Sequence, residues 1–269
     1  MKKTLLTFRY IAFVSLFFAF APACTKSCQK GSSNNSSVLR IGTNANFPPF
    51  ESINDKGELI GFDIDMGRAL GEKLMRKVQF KEYDFDALIL ALNKGQIDII
   101  LSGLSITESR QKEIAMVAYQ GEPLTEISFL FWHHVPDNAT SFSAIKQIAI
   151  ARKLAVSVQS GHYLEEFLQG EGIPVKPLAG PPEQILDIKY GKSLAAAVDS
   201  TVGKKLDSEH EGIKGVVLPL PKEKWDLGYG VGIKKSNTAL VEEITQAVAT
   251  LKEDGTITKL SDKWLKIGH

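Results

Sequence analysis

The chain has 269 residues, of which 43% are hydrophobic and 23% charged, and its formal net charge at pH 7 is +1. This length suffices for one large or two modest globular domains. Acidic and basic residues are interspersed, so no basic patch argues for a nucleic-acid partner, and only the N-terminal region carries a long apolar run.

Residues 1–23 have the features of a signal peptide. Two lysines precede an apolar run at residues 11–20, which is too short to span a bilayer as a stable helix. Small residues then lead to Cys24, which favours a bacterial lipoprotein signal with Cys24 as the lipidated first residue; plain cleavage near Ala23 and an uncleaved anchor are the alternatives. Residues 24–37, rich in Gly, Ser and Asn, predict a flexible tether. We therefore expect a periplasmic or cell-envelope protein.

The first part of the body alternates strands and helices. The pattern predicts strands at residues 38–43, 78–83, 96–101 and 114–119, and helices at residues 61–75 and 87–94. Two prolines between residues 44 and 51 predict a rigid loop, and a turn at residues 54–57 closes a small hairpin. The order β-α-β-α-β predicts a mostly parallel sheet wrapped by helices.

The alternation restarts after residue 124 and predicts a second α/β unit. Strands are expected at residues 127–132, 154–159, 174–178, 193–198 and 216–220, with helices at 162–169 and 182–190 and a further helix after 199. A strand at residues 230–234 and helices at 237–253 and 256–266 complete the chain. The fold class is therefore predicted to be α/β.

The segment at residues 102–110 follows a predicted buried strand and has the composition of an anion site. Ser105 and Glu108 have the spacing of a capping box, which predicts a helix start with free backbone N–H groups. Arg110 would lie in the first turns, where its fork can hold a carboxylate by two hydrogen bonds. The alternative is an ordinary solvated arginine. Asp63 and Asp65, near another helix start, are interpreted as capping acids, and no metal site is predicted because further ligands are missing.

The segment 102–110 resembles the carboxylate-binding segment of periplasmic amino-acid-binding proteins that feed ABC importers, with the pattern S-[SG]-x-[ST]-I-T-x-x-R. Similar landmarks stand at residues 41–51, 61–65, 85–88, 251–256 and 263–264, so the resemblance covers nearly all of residues 39–265. It implies two Rossmann-like lobes joined by a two-stranded hinge, the type II periplasmic-binding-protein fold. It places one lobe at residues 38–121 plus 228–269 and the other at residues 122–227.

The resemblance also implies a ligand site. Arg110 and Ser105 are expected to hold the carboxylate of a free amino acid, and Asp199 its ammonium group. Phe47 and Phe85 match a pair of rings that sandwiches the ligand side chain, whereas Phe50 and Phe62 are interpreted as core residues. The remaining expected contacts are Asn44, Glu51, Ser102, Gly103, Leu104, Gln159, Ser160, Gly161 and His162. His162 stands where the family usually has threonine, and capping of its own helix is the alternative to a ligand contact.

Charge complementarity favours L-arginine as the ligand. Arg110 is positive and Asp199 and Glu51 are negative, so the predicted pocket complements an arginine zwitterion of net charge +1. Lysine, ornithine and histidine follow, and glutamine fits if Glu51 faces water. The resemblance implies a monomer that delivers the amino acid to an ABC-transporter permease without a cofactor. Two other interpretations are an enzyme like the cyclohexadienyl dehydratases and the sensing module of a receptor.

Overall fold

The computed structural model describes residues 38–120 and 123–265. The predicted signal peptide, the tether and Cys24 lie outside the described residues. In chain order the strands are β1 (Val38–Thr43), β2 (Asn46–Phe47), β3 (Glu51–Ile53), β4 (Leu59–Ile60), β5 (Lys77–Glu82), β6 (Ile99–Ile100), β7 (Ala115–Gln120), β8 (Glu126–Trp132), β9 (Val156–Gln159), β10 (Val175–Leu178), β11 (Ala195–Asp199), β12 (Ile213–Pro219) and β13 (Tyr229–Ile233). The helices are α1 (Phe62–Lys73), α2 (Leu88–Asn93), α3 (Glu108–Glu113), α4 (Phe142–Arg152), α5 (Tyr163–Gly170), α6 (Pro181–Lys189), α7 (Ser200–Glu209), α8 (Thr238–Glu253) and α9 (Thr256–Trp264).

Two five-stranded sheets organise these elements, with strand orders β5-β1-β6-β13-β7 and β10-β9-β11-β8-β12. Helices pack against both, so the predicted α/β class with two lobes is confirmed. The prediction of a mostly parallel sheet is wrong, because each sheet has two parallel and two antiparallel pairings. The antiparallel pairings are those of β13 in the first sheet and of β8 in the second. Each of these strands is the one by which the chain enters its sheet after leaving the other sheet. The predicted hairpin is part of a small sheet of β2, β3 and β4.

The chain passes between the two sheets twice, from β7 to β8 and from β12 to β13. One side chain joins the two crossings: Asp226 Oδ1 accepts hydrogen bonds of 2.9 Å from the backbone N–H groups of Leu124 and Gly228. Burial raises the pKa of Asp226 to about 6, although these two donors lower it. The crossings therefore form a hinge whose two strands are held side by side.

Helix α4 was not predicted from the sequence. Its buried residues are Ile145, Ile148 and Ala149, while Ile150 is 57% exposed. Apolar residues thus occur around the helix, and the one-sided period that signals an amphipathic helix is weak. Its start is conventional, because the Ser141 side chain accepts a hydrogen bond from the N–H of Ala144.

The C-terminal helices pack on the first sheet. Asp65 of α1 accepts hydrogen bonds from Lys263 Nζ at 2.7 Å and from Trp264 Nε1 at 2.9 Å. These contacts fix α9 against α1 and give the landmark at residues 263–264 a structural role. Within the described ranges, no helix combines the length and the hydropathy needed to cross a membrane.

Candidate functional site

The predicted site residues follow the carboxyl ends of strands in both lobes. Asn44 follows β1 and the segment 102–110 follows β6, whereas residues 160–162 follow β9 and Asp199 ends β11. Open α/β sheets bind ligands at such strand ends. The two sets of loops meet: Gln159 Nε2 donates a hydrogen bond of 2.9 Å to Asn44 Oδ1. The structure therefore brings the predicted residues together in one cleft between the lobes.

Backbone and side-chain hydrogen bonds hold the segment after β6. The Gly103 N–H donates to Asp63 Oδ2 at 2.7 Å, and Asp63 Oδ1 accepts from the Tyr119 hydroxyl at 2.7 Å. Gly103 has φ +50°, and a Cβ there would come within 2.9 Å of the Phe47 ring. Asp63 thus anchors the binding segment, a role that its interpretation as a capping acid did not anticipate.

The predicted capping box of Ser105 and Glu108 is wrong. Thr107 caps the six-residue helix α3, and its Oγ1 accepts a hydrogen bond of 3.2 Å from the N–H of Arg110. Ser105 instead forms a β-bridge with Tyr229. Pairing with the returning chain therefore keeps Ser105 extended and moves the helix start two residues on. The Ser105 Oγ is buried beside Asp226, and its interaction with that carboxyl lowers the pKa of Asp226.

The Leu104 side chain packs in a hydrophobic cluster with Phe85 and Leu88, and its carbonyl accepts a hydrogen bond from Gly230. Both groups are engaged within the fold, so the ligand contact expected at Leu104 stays a prediction for its backbone N–H alone.

Arg110 is buried at the mouth of the cleft. Its Nη1 donates to the carbonyl of Ser105 at 2.8 Å, and its Nη2 donates to the carbonyl of Gly161 in the other lobe at 3.1 Å. Its Cζ lies 5.3 Å from the centre of the Phe85 ring. Burial lowers the pKa of Arg110 to about 10, and the nearby charge of Asp199 acts in the opposite direction. Arg110 is therefore a cation in a dry site rather than a solvated surface arginine.

Asp199 is the opposing charge in the second lobe, and it is fully buried. Its side chain does not cap α7; it accepts hydrogen bonds from the hydroxyls of Tyr163 at 3.2 Å and Tyr229 at 2.9 Å. The two tyrosines were missed by the sequence analysis, since neither stands in a quoted motif. Burial and the charge of Asp199 raise the pKa of both phenols, so both remain hydrogen-bond donors.

The rings of Phe47 and Phe85 both contact the imidazole of His162. The His162 ring centre is 5.9 Å from that of Phe47 and 6.0 Å from that of Phe85. His162 Nδ1 accepts from the N–H of Leu164 at 3.4 Å, so the residue also caps α5. Phe50 and Phe62 are buried in the first hydrophobic core, as expected.

Glu51 is fully buried, and its Oε1 accepts a hydrogen bond of 3.1 Å from Ser102 Oγ. Burial, the charge of Asp63 and hydrogen bonding with Asp63 raise the pKa of Glu51 well above its usual range. Burial also raises the pKa of Asp63 to about 7. The raised pKa favours the neutral carboxyl, which weakens the case for Glu51 as a source of negative charge; the predicted ligand contact at Glu51 stays a prediction.

The loop after β9 contacts the first lobe at a second place. Ser160 Oγ donates to Asp86 Oδ2 at 2.9 Å. Gly161 has φ +73°, and a Cβ there would lie 2.8 Å from that of Asp86. Glycine thus allows the lobes to approach closely at the cleft mouth. The Gln159 Oε1, by contrast, is buried without a hydrogen-bond partner in the described part of the chain.

Two α/β lobes, a two-stranded hinge and a cleft with opposite charges on its two walls define a type II periplasmic binding protein. The family model for bacterial extracellular solute-binding proteins, family 3, matches residues 39–267. The chain belongs to this family, whose description is of solute-binding proteins and not of enzymes.

Sequence and structure comparisons find similar proteins with related descriptions. A probable ABC transporter arginine-binding protein of Chlamydia trachomatis serovar D is 32% identical over 269 residues, which cover 98% of this chain and 96% of that protein. The structure of an ancestral arginine-binding protein bound to arginine matches with a TM-score of 0.74 and 31% identity, covering 86% of this chain and 99% of the other. An ancestral arginine-binding protein bound to glutamine matches with a TM-score of 0.74 and 32% identity, covering 85% and 97%.

Proposed function

We propose that this chain captures L-arginine outside the cytoplasm and delivers it to the permease of an ABC importer. The observation that carries the proposal is the placement of Arg110 and Asp199, two buried opposite charges on different lobes of one cleft. A free amino acid carries the complementary pair, and each of its charges needs a partner when the cleft excludes water. The arginine-binding relatives support this choice of ligand.

In this proposal Arg110 receives the ligand carboxylate and Asp199 receives the ammonium group. The buried Ser105 Oγ, beside Asp226, is a further hydrogen-bonding group for the ligand backbone. Ser102 and Gly103 act chiefly by shape, since the Ser102 Oγ and the Gly103 N–H already bond to Glu51 and Asp63.

The ligand side chain is assigned to the faces of Phe47 and Phe85. A guanidinium group stacks on aromatic rings and gains cation–π energy there. The Gln159 Oε1 offers a neutral acceptor for its N–H groups. Because burial raises the pKa of Glu51, we assign arginine selectivity to the two rings and the Gln159 amide oxygen rather than to a second carboxylate beside Asp199.

Glutamine is the second candidate, because the charges of Arg110 and Asp199 balance and leave a pocket that also suits a neutral side chain. The glutamine-bound structure of an ancestral arginine-binding protein supports keeping this alternative.

We assign residues 38–121 and 228–269 to one lobe and residues 122–227 to the other, and we expect ligand to close the cleft in a monomer. We also propose that a lipidated Cys24 tethers the protein to the cell envelope. Metabolic labelling with a palmitate analogue tests the tether: the full chain should be labelled and Cys24→Ala should not. Equal labelling of both proteins contradicts it.

Thermal unfolding against a panel of free amino acids tests the ligand. A ligand that binds only the folded state raises Tm by mass action. Arginine should give the largest rise, with lysine, ornithine, histidine and glutamine behind it. A largest rise with glutamate or aspartate, or no rise with any amino acid, contradicts the proposal.

A further inference from the structure

His162 occupies the position that the proposed function gives to the ligand side chain. Its ring contacts both Phe47 and Phe85, with centre-to-centre distances of 5.9 Å and 6.0 Å and tilts of 38° and 42°, and its side chain is 3% exposed. It also contacts Tyr163, the next residue, at 4.8 Å between ring centres. The two phenylalanines belong to the first lobe, and His162 belongs to the second. The imidazole therefore contacts this pair of rings from across the cleft, and the space beside Phe47 and Phe85 is called the slot below.

The polar edge of the same ring faces the site's carboxylate. His162 Nε2 lies 3.6 Å from Asp199 Oδ2 and has no hydrogen-bond partner among the described residues. Because Nδ1 accepts a hydrogen bond from Leu164, the proton of a neutral ring sits on Nε2 and points its positive end towards Asp199. The imidazole thus resembles the proposed bound ligand in two respects: it contacts both phenylalanine rings, and it presents an N–H to Asp199.

We propose that His162 is an internal competitor for the amino-acid site. A ligand side chain that enters the slot has to turn the imidazole out, and a ligand ammonium group has to replace Nε2 beside Asp199. The proposal rests on the proposed function for the identity of the ligand but not for the position of the ring. His162 would then lower the affinity of the cleft for every amino acid. It would disfavour least those ligands whose side chains interact more strongly with the two rings than an imidazole does.

The contacts of His162 with Phe47 and Phe85 also join the two lobes. His162 and the Arg110–Gly161 hydrogen bond both bridge the cleft, but only the ring fills the slot. Replacing the imidazole with a small side chain should therefore favour an open cleft when no amino acid is added. Threonine is a suitable replacement, because its hydroxyl can still cap α5 and the helix should remain intact.

A spin-label distance measurement tests this independently of ligand identity. Labels are placed at Leu90→Cys on α2 and Gln169→Cys on α5, both exposed positions, in a chain with Cys24 and Cys28 replaced by serine. Without added amino acid, the protein with His162 should give mainly one short distance, and His162→Thr should shift the distribution to longer distances. His162→Phe, which keeps a ring without Nε2, should stay closer to the parent. Identical distributions for the parent and His162→Thr, at equal Tm, overturn the proposal.

Calorimetry with arginine provides the second measurement. His162→Thr should bind arginine about ten-fold more tightly than the parent, since one aromatic contact no longer has to be broken. Equal or weaker arginine binding by His162→Thr overturns the proposal that His162 competes with the ligand. If neither protein binds any amino acid, the proposed function fails, whereas the distance measurement still decides whether His162 holds the cleft closed.

Discussion

Arg110 Nη2 donates a hydrogen bond of 3.1 Å to the backbone carbonyl of Gly161, and this contact joins the two lobes at the mouth of the cleft. The other arm of the same guanidinium is fixed by the carbonyl of Ser105. Arg110 is thereby oriented before any ligand carboxylate arrives, which reduces the entropy lost on binding. In the proposed function, the same side chain therefore binds the ligand carboxylate and contacts the second lobe.

Replacing Arg110 with alanine should weaken the binding of every amino acid to a similar extent. The variant leaves the ligand carboxylate without its partner in a closing cleft, which costs about 2–5 kcal/mol. That loss corresponds to a Kd raised roughly thirty-fold or more. Calorimetry with arginine and glutamine measures it, and Arg68→Ala, which removes a half-exposed surface arginine, is the control. A selective loss of arginine alone would contradict the assignment of Arg110 to the ligand backbone.

The Phe85→Leu variant should cost arginine more affinity than lysine. A planar guanidinium stacks on the ring, whereas an ammonium group gains less from the same face. The ratio of the two dissociation constants, from parallel titrations, is the measurement. Phe142→Leu serves as a control, because Phe142 packs against Phe129 and Phe167 away from the cleft. An unchanged ratio would remove Phe85 from the side-chain site.

Glu51→Gln should leave the selectivity between arginine and glutamine unchanged. Burial and Asp63 raise the pKa of Glu51, which favours its neutral form, and the amide keeps the shape of that form and still accepts from Ser102. Titrations at pH 7 should show both dissociation constants changing by the same factor. A loss confined to arginine would mean that an ionised Glu51 acts on the ligand side chain.

The buried carboxyls of Glu51 and Asp63 should make the folded protein less stable as pH rises. Both pKa values are raised, chiefly by burial, so the native state binds more protons than the unfolded chain above about pH 4. Their contribution to stability is full below about pH 4 and is lost progressively as pH rises through the pKa of Asp63, about 7.

Urea unfolding from pH 4 to 8 measures this trend, and Asp63→Asn should flatten it. Asp55→Asn, at an exposed position in the β3–β4 turn, should keep the parent slope. A parent-like slope in Asp63→Asn would show that the pair does not govern the trend.

The pattern of apolar residues was enough to predict most strands and helices. Each strand or helix buries one continuous face, and this face gives its sequence a recognisable period. Strand direction was harder: β8 and β13 run against their neighbours because the chain enters each sheet from the other lobe. Strand direction therefore depends on where the hinge lies, and the local pattern of apolar residues carries no information about the hinge.

Site residues on strand ends could be predicted, but their partners could not. Arg110 and Asp199 stand in recognisable segments, and both lie in the cleft. Whether Glu51 is charged depends on Asp63, twelve positions away, and on burial that only the folded chain creates. Likewise Ser105 has capping-box spacing, yet its β-bridge to Tyr229 prevails over the local pattern.

The measurement that tests the account most directly is a calorimetric titration of the purified protein with arginine, repeated in the presence of excess glutamine and on Asp199→Asn. We predict that arginine binds with one site per chain and displaces glutamine. Asp199→Asn should weaken both ligands, because each ammonium group loses the buried carboxylate that Tyr163 and Tyr229 hold in place. Arginine binding that is unaffected by Asp199→Asn, or no arginine binding by the parent protein, would contradict the account.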